Sequence, residues 1–177
     1  MGANPHITGF FGGEQPDGEG RLLRELQTWP DERLESVHDF IQWMFPLTEP
    51  SPVNPDAPVL DEETIAVFHA RPDLRGALRT SWLRMLAFYG LELSEGRVRR
   101  AASFDHKSAN WLWPNNHNHL RITRILKCLR LLGREEESRA FFDCLADIYA
   151  SERRKPRPAI TERTFEFWQH ACGLGSS

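Results

Sequence analysis

The residues of this chain best suited to chemistry lie in a short polar stretch, Asn115–His119, that carries three amides and two imidazoles. A basic helical pattern with Arg121 and Arg124 follows at once. The first turn of a helix leaves backbone N–H groups without intrahelical partners and places the positive end of the macrodipole there, so it favours an anion. We therefore expect this stretch to bind a phosphate, a carboxylate or a peptide carboxyl terminus. The candidate ligand-binding residues are Asn115, Asn116, His117, His119, Arg121, Arg124, Lys107, Trp111 and Trp113.

The same stretch also fits a purely structural role. Asn116 or Asn118 is a suitable N-cap for the helix, and His119 can pack in the interior. The arginines can pair with acidic side chains such as those of Glu135–Glu137. The sequence leaves both interpretations open, because the residue types that hold an anion at a helix start are also those that cap it.

Two imidazoles one residue apart, His117 and His119, also raise the question of a metal or an active site. Within a helix they point about 200° apart, and the further ligands on offer, His106 or Asp105, complete no established pattern. We therefore expect no metal and no cofactor. An enzyme with a polar pocket around His117, His119, Asp105 and Lys107 is an alternative, but no motif of a known enzyme class is present, so the prediction is a protein that binds without catalysis.

Charge is distributed unevenly along the chain. Residues 97–134 carry nine basic residues and one acid, Asp105, whereas the whole chain has a net charge of −3. A basic segment between acidic flanks suits an anionic partner, and Trp111 and Trp113 add rings of the kind on which single-stranded nucleic acid stacks. Binding of nucleic acid by residues 97–134 is therefore a second alternative, beside neutralisation of these charges within the fold.

The elements that must position these residues are helical, because apolar residues recur at three- and four-residue spacing along most of the chain. Predicted helices cover Arg21–Trp29, residues 30–45, residues 60–70, Pro72–Tyr89, Leu120–Leu132, residues 134–149 and a segment after Pro158. Residues 96–114 are irregular, with room for a strand pair around Arg97–Ala102 or for none. The pattern predicts an all-α fold, an irregular bundle of about six or seven helices with long Pro-rich and basic, aromatic loops.

Composition predicts one domain with flexible ends. The first twenty residues contain six Gly and two Pro, which is typical of a flexible arm. We expect an arm at residues 1–20, a single domain at residues 21–173 and a tail at residues 174–177. No signal peptide and no bilayer-spanning apolar run is present, which predicts a soluble, cytoplasmic protein.

Three blocks of sequence carry a resemblance to a known family. Phe40–Pro46, Met85–Gly90 and Asn115–Lys127 occur in the order and with spacing similar to those of the opioid growth factor receptor conserved region. The resemblance runs from about Asp39 to Leu132. It implies an opioid growth factor receptor domain that binds the pentapeptide Met-enkephalin or another peptide or small anion, and an association with the nucleus or nuclear membrane. We expect a short, single-domain member.

Overall fold

The computed structural model describes residues 2–175 of the chain, so Met1 and the last two residues of the predicted tail, Ser176 and Ser177, lie outside the described part. About 55% of the structure is helical. The described residues form ten helices and two strands: α1 Pro5–Phe11, α2 Leu23–Leu26, α3 Asp31–Ser36, α4 Ile41–Met44, α5 Glu62–Ala70, α6 Pro72–Tyr89, β1 Leu91–Ser94, β2 Arg97–Arg100, α7 Phe104–Ser108, α8 Asn118–Leu131, α9 Glu135–Glu152 and α10 Glu162–Ala171. A mainly helical fold was predicted and is confirmed. The predicted count of six or seven helices was too low, and two short strands are present beside the helices.

The helix predicted at residues 30–45 is two helices, α3 and α4. The backbone leaves the helical conformation at Val37, which is extended with φ of −98° and ψ of 133°. The segment after the break is held by distant partners, since the Asp39 carboxylate accepts from Arg21 at 2.8 Å and the Asp39 carbonyl accepts from the Asn54 amide at 3.0 Å. These tertiary contacts explain the break between α3 and α4, which no Gly or Pro in the sequence indicates.

Helix α1 lies within residues 1–20, where the sequence predicted an arm. Its two aromatic rings are buried: Phe10 meets Trp43 edge to face at 5.4 Å, and Phe11 meets Phe68 in the same way at 5.0 Å. Each such ring contributes a large apolar area to the core. The domain boundaries predicted from composition stay a prediction.

The chain divides into two compact units, of which the first comprises residues up to Arg84 together with Leu131–Gly133. Trp29 is buried in this unit and is contacted on its ring by two arginines. The guanidinium groups of Arg21 and Arg33 lie 5.3 and 4.1 Å from the ring centroid. Arg84 donates two hydrogen bonds to the Trp29 carbonyl and one to Asp31 at 2.7 Å. Cation–π contacts and charge-assisted bonds thus orient the start of α3.

The second unit comprises Met85–Arg130 and the residues from Arg134 onward, and it contains the β-hairpin. Strands β1 and β2 pair antiparallel with Ser94 opposite Arg97. The two residues between them, Glu95 and Gly96, have φ of 52° and 76°. Two left-handed residues in a two-residue loop define the turn whose twist matches that of a hairpin. The strand pair that the sequence left open is therefore present.

Helix α8 places its apolar face in the core of the second unit, with Ile122, Ile125 and Leu129 fully buried. Leu120, the first apolar residue of the predicted helix, is instead 72% exposed. It lies about 200° around the helix from Ile122, so both cannot face the same core. The interior position one residue before it is taken by His119, a polar residue that the apolar pattern had passed over.

Candidate functional site

The polar stretch of residues 115–119 forms the turn that enters helix α8. Asn115 is exposed and has φ of 61°, a left-handed conformation that asparagine tolerates. Asn116 is buried, and its side-chain oxygen accepts from the Asn118 backbone N–H at 2.8 Å while its side-chain nitrogen donates to the Asn110 carbonyl at 3.0 Å. Both ends of the Asn116 amide are thus used within the protein, in a capping role.

His119 lies in the interior between two tryptophans and is only 4% exposed. Its Nε2 atom is 2.8 Å from the Trp111 carbonyl oxygen, so this nitrogen carries the proton and donates it. The imidazole meets the rings of Trp111 and Trp168 edge to face at 6.4 and 5.7 Å, and the Trp168 indole N–H donates to the His119 carbonyl at 3.1 Å. We call these three residues the tryptophan–histidine cluster.

Acidification is expected to destabilise the protein through His119. Burial lowers the pKa of this imidazole below its ordinary value of 6.5, and charge on His117 acts in the same direction, against the hydrogen bond to Trp111. As the pH falls below about 6.5 the unfolded chain therefore binds more protons than the folded one, and stability decreases by at most about 1.4 kcal/mol per pH unit for this single group. The measurement is the free energy of unfolding by urea at about pH 7.5 and about pH 5.5.

The comparison protein for this measurement is His119→Gln, whose side chain does not titrate. It is expected to be less stable than the wild type at both pH values, yet to lose less stability between them. If both proteins lose the same amount, the pH dependence comes from other groups and the role given to His119 is wrong.

The structure separates the predicted ligand-binding residues into two sets. Four of them are buried: Trp111, Asn116, His119 and Arg121. The others reach the surface, with Asn115 and Trp113 exposed and His117, Arg124 and Lys107 half-buried. Trp113 is 50% exposed, whereas Lys107 donates to the Ala87 carbonyl at 2.7 Å. A ligand-binding role for these residues stays a prediction. A ligand at the surface could contact only the residues of the exposed and half-buried set directly.

Much of the basic charge in residues 97–134 has partners within the second unit. Arg99 pairs with Glu92 across the hairpin at 2.8 Å, and Arg134 pairs with Glu137 at 3.0 Å. Arg130 donates from Nε to the carbonyl of Ala171, at the end of α10, at 2.8 Å. These contacts favour the intramolecular use of the basic residues over a surface that follows a nucleic acid backbone.

The residues proposed for a polar active site do not form a cluster rich in titratable groups. His119 is enclosed by tryptophans, whereas Asp105 is exposed and His117 and Lys107 are half-buried. Among residues 2–175 no group of three or more His, Cys, Asp or Glu side chains is arranged to hold a metal ion. The thiol of Cys128 is fully buried, and burial raises its pKa well above the usual range, more than the charge of Arg124 lowers it. Such a thiol is a poor nucleophile.

A groove that sequence reasoning missed lies in the second unit, between the hairpin and helix α9. Its volume is about 620 Å³, and it is lined by Gly96, Arg97 and Val98 on one side and by a face of α9 from Glu135 to Asp147 on the other. We call it the hairpin groove. The sequence did offer a signal, because Glu136, Asp143 and Asp147 of α9 recur at seven- and four-residue spacing, but nothing local shows that a hairpin packs against them.

These features define a mainly helical protein with a polar stretch, residues 115–119, that is partly buried, and with an open, acidic groove. The opioid growth factor receptor (OGFr) conserved region matches the chain over residues 15–171. The chain therefore belongs to the opioid growth factor receptor family, as the resemblance indicated. No solved structure matches it.

Relatives with known names agree with this assignment. The chain is 35% identical to the opioid growth factor receptor of Homo sapiens over 153 residues, which is 82% of this chain and 22% of the receptor. It is 43% identical to the same receptor of Mus musculus over 127 residues, 68% of this chain and 19% of the receptor. It is also 38% identical to opioid growth factor receptor-like protein 1 of Xenopus tropicalis over 125 residues, 68% of this chain and 24% of that protein.

The chain thus spans about a fifth of the length of these relatives. The matched region includes the hairpin groove and the signature stretch. None of the helices described in residues 2–175 is both long enough and apolar enough to cross a membrane.

Proposed function

We propose that this chain is a peptide-binding domain that acts without catalysis. The observation that carries the proposal is the hairpin groove, whose volume of about 620 Å³ lies within the range of roughly 300–1,000 Å³ found for ligand sites. Its α9 wall runs from Glu135 to Asp147, about 18 Å of helix at 1.5 Å per residue. An extended pentapeptide spans about 17 Å, so the groove matches a ligand of that length.

The choice of ligand rests on the family. The relatives are named as opioid growth factor receptors, and the resemblance implies Met-enkephalin, a pentapeptide, as the ligand of family members. Met-enkephalin, or another peptide of similar length, is the ligand that we propose for this chain. The intracellular and nuclear-associated setting implied by the resemblance belongs to the same proposal.

The chemistry of the groove supports binding over catalysis. Cys144 is its one thiol among the described lining residues, and burial raises the pKa of that thiol to about 11. The charge of Arg100 acts in the opposite direction, and Asp147 adds a smaller increase. A thiol with this pKa is protonated near neutral pH and does not serve as a nucleophile. The floor beside it is apolar, formed by Val98 and Ala140, which suits the side chain of a bound peptide.

Titration of the chain with Met-enkephalin is expected to release or absorb heat that fits one binding site. A short flexible peptide loses much conformational freedom on binding, so the expected dissociation constant is about 1–100 μM. Isothermal titration calorimetry measures it directly. A pentapeptide of the same composition in scrambled order is the control, and it is expected to bind at least about tenfold more weakly.

The outcome that contradicts the proposal is an absence of binding heat for both peptides at millimolar concentration, at two temperatures. Two temperatures are needed because the enthalpy of binding can pass through zero at one of them while the heat capacity change does not.

A further inference from the structure

The hairpin groove has charged walls on an uncharged floor. Its walls carry the carboxylates of Glu135, Glu136, Asp143 and Asp147, against the guanidinium groups of Arg97 and Arg139. Arg139 is already engaged, since its Nε atom lies 2.9 Å from the Asp143 carboxylate. The walls therefore present an excess of negative charge to any ligand that enters.

The floor of the groove differs from the walls, because its residues are uncharged and more deeply buried. Cys144 lies in it and is only 5% exposed, and Val98 beside it is 8% exposed. The floor therefore offers apolar contact and no cation to neutralise the walls. A ligand that satisfies both parts of the groove combines an apolar side chain with a positive charge.

We infer that the hairpin groove binds the cationic end of a short peptide, with an ammonium group of the ligand held at one end of the α9 wall, beside Glu136 or beside Asp147, and an apolar side chain on the floor. This inference rests on the proposed function and adds to it the position and the polarity of the ligand. The ammonium can come from the peptide's amino terminus or from a lysine side chain, which present the same chemistry. Electrostatic attraction to the walls predicts that affinity falls as the ionic strength rises.

The test uses three probes and follows backbone amide shifts of the whole chain by NMR. The probes are Met-enkephalin with a free amino terminus, the same peptide acetylated at its amino terminus, and an acetylated pentapeptide that contains one lysine. The free peptide is expected to shift the amides of Gly96–Val98 and of the α9 face. Acetylation removes its only cation and is expected to weaken binding about tenfold, the loss typical of one charged hydrogen bond.

Two protein variants complete the test. The double variant Glu136→Gln, Asp147→Asn removes the two carboxylates at nearly constant volume, and it is expected to bind free Met-enkephalin about tenfold more weakly. Glu166→Gln, at an exposed position of α10, is the matched control and is expected to bind as the wild type does. All three substituted positions are exposed, so folding is expected to be unchanged and is checked by the melting temperature.

The outcomes of these binding experiments distinguish the inference about the groove from the proposed peptide-binding function. Binding that shifts the groove amides and weakens in the double variant supports the inference, and preference for the lysine probe over acetylated Met-enkephalin shows that a side chain can supply the cation. Wild-type binding that the double variant retains, or that shifts only amides around Trp113 and Asn115, overturns the inference and leaves the peptide-binding function intact. No binding of any probe overturns both.

Discussion

Replacement of Trp168 by alanine is expected to lower the free energy of unfolding by about 3–5 kcal/mol, the cost of removing a buried aromatic side chain. Trp168 is 0% exposed, packs against the His119 ring and donates its indole N–H to the His119 carbonyl. The substitution thus opens a cavity in the tryptophan–histidine cluster. A decrease in melting temperature of about 10 °C, measured by scanning calorimetry, is the expected result.

Two further variants separate the packing of Trp168 from its hydrogen bond. Trp168→Phe retains a ring and loses the N–H donor, so it is expected to cost about 1–2 kcal/mol. Phe167→Ala is the control from the same helix, because Phe167 is 47% exposed and its loss is expected to cost less than about 1 kcal/mol. Similar melting temperatures for the alanine variants of Trp168 and Phe167 would show that the cluster does not stabilise the fold.

Replacement of Asn116 by alanine is expected to cost about 2–3 kcal/mol, although no apolar packing is removed. The Asn118 N–H, which is buried, loses its capping oxygen, and the carbonyl of the exposed residue Asn110 loses a donor. Loss of an N-cap costs about 1 kcal/mol, and a buried polar group left without its partner costs about 1–3 kcal/mol. Chemical denaturation followed by circular dichroism gives the free energy of unfolding.

Asn116→Asp is the conservative comparison for this prediction. It keeps an oxygen for the Asn118 N–H and adds a negative charge where the macrodipole favours one, but it cannot donate to Asn110. Its stability is therefore expected to lie between those of the wild type and Asn116→Ala. Asn115→Gly is the control, expected to change stability by less than about 0.5 kcal/mol, because glycine adopts the φ of 61° without strain. An Asn116→Ala protein as stable as this control would contradict the capping role.

The long helices could be predicted from the sequence, because their periodicity and their end signals agree. Helix α6 begins at Pro72 and ends before Gly90, as the pattern indicated, and Gly90 has a φ of 79° that favours glycine at a helix end. A Cβ atom at Gly90 would also approach Phe104 Cα at 2.8 Å. The break after α3 could not be predicted, since it depends on contacts of Asp39 with residues 15 or more positions away.

The signature stretch shows the limit of sequence reasoning about a site. The residue types of Asn116 and His119 allowed both an anion site and a structural turn. In the structure both side chains form hydrogen bonds within the protein. The sequence could not show the surroundings of His119, because the partner of its carbonyl, Trp168, is 49 positions away along the chain. The hairpin groove was missed for a similar reason, since its two walls come from segments about 40 residues apart and neither wall carries a recognisable motif alone.

The division of the hairpin groove into exposed walls and a buried floor has a consequence for engineering. The six charged wall residues are all exposed, and exposed substitutions away from helix ends and cores change stability by only about 0.5 kcal/mol. Four of the six meet this condition, because only Glu135 and Glu136 lie in the first turn of α9. The floor residues Val98 and Cys144 belong to the core of the second unit and do not allow the same freedom. Ligand preference can thus be redesigned by exchanging wall charges on an unchanged scaffold, for example by inverting Asp147 to lysine to select acidic peptides.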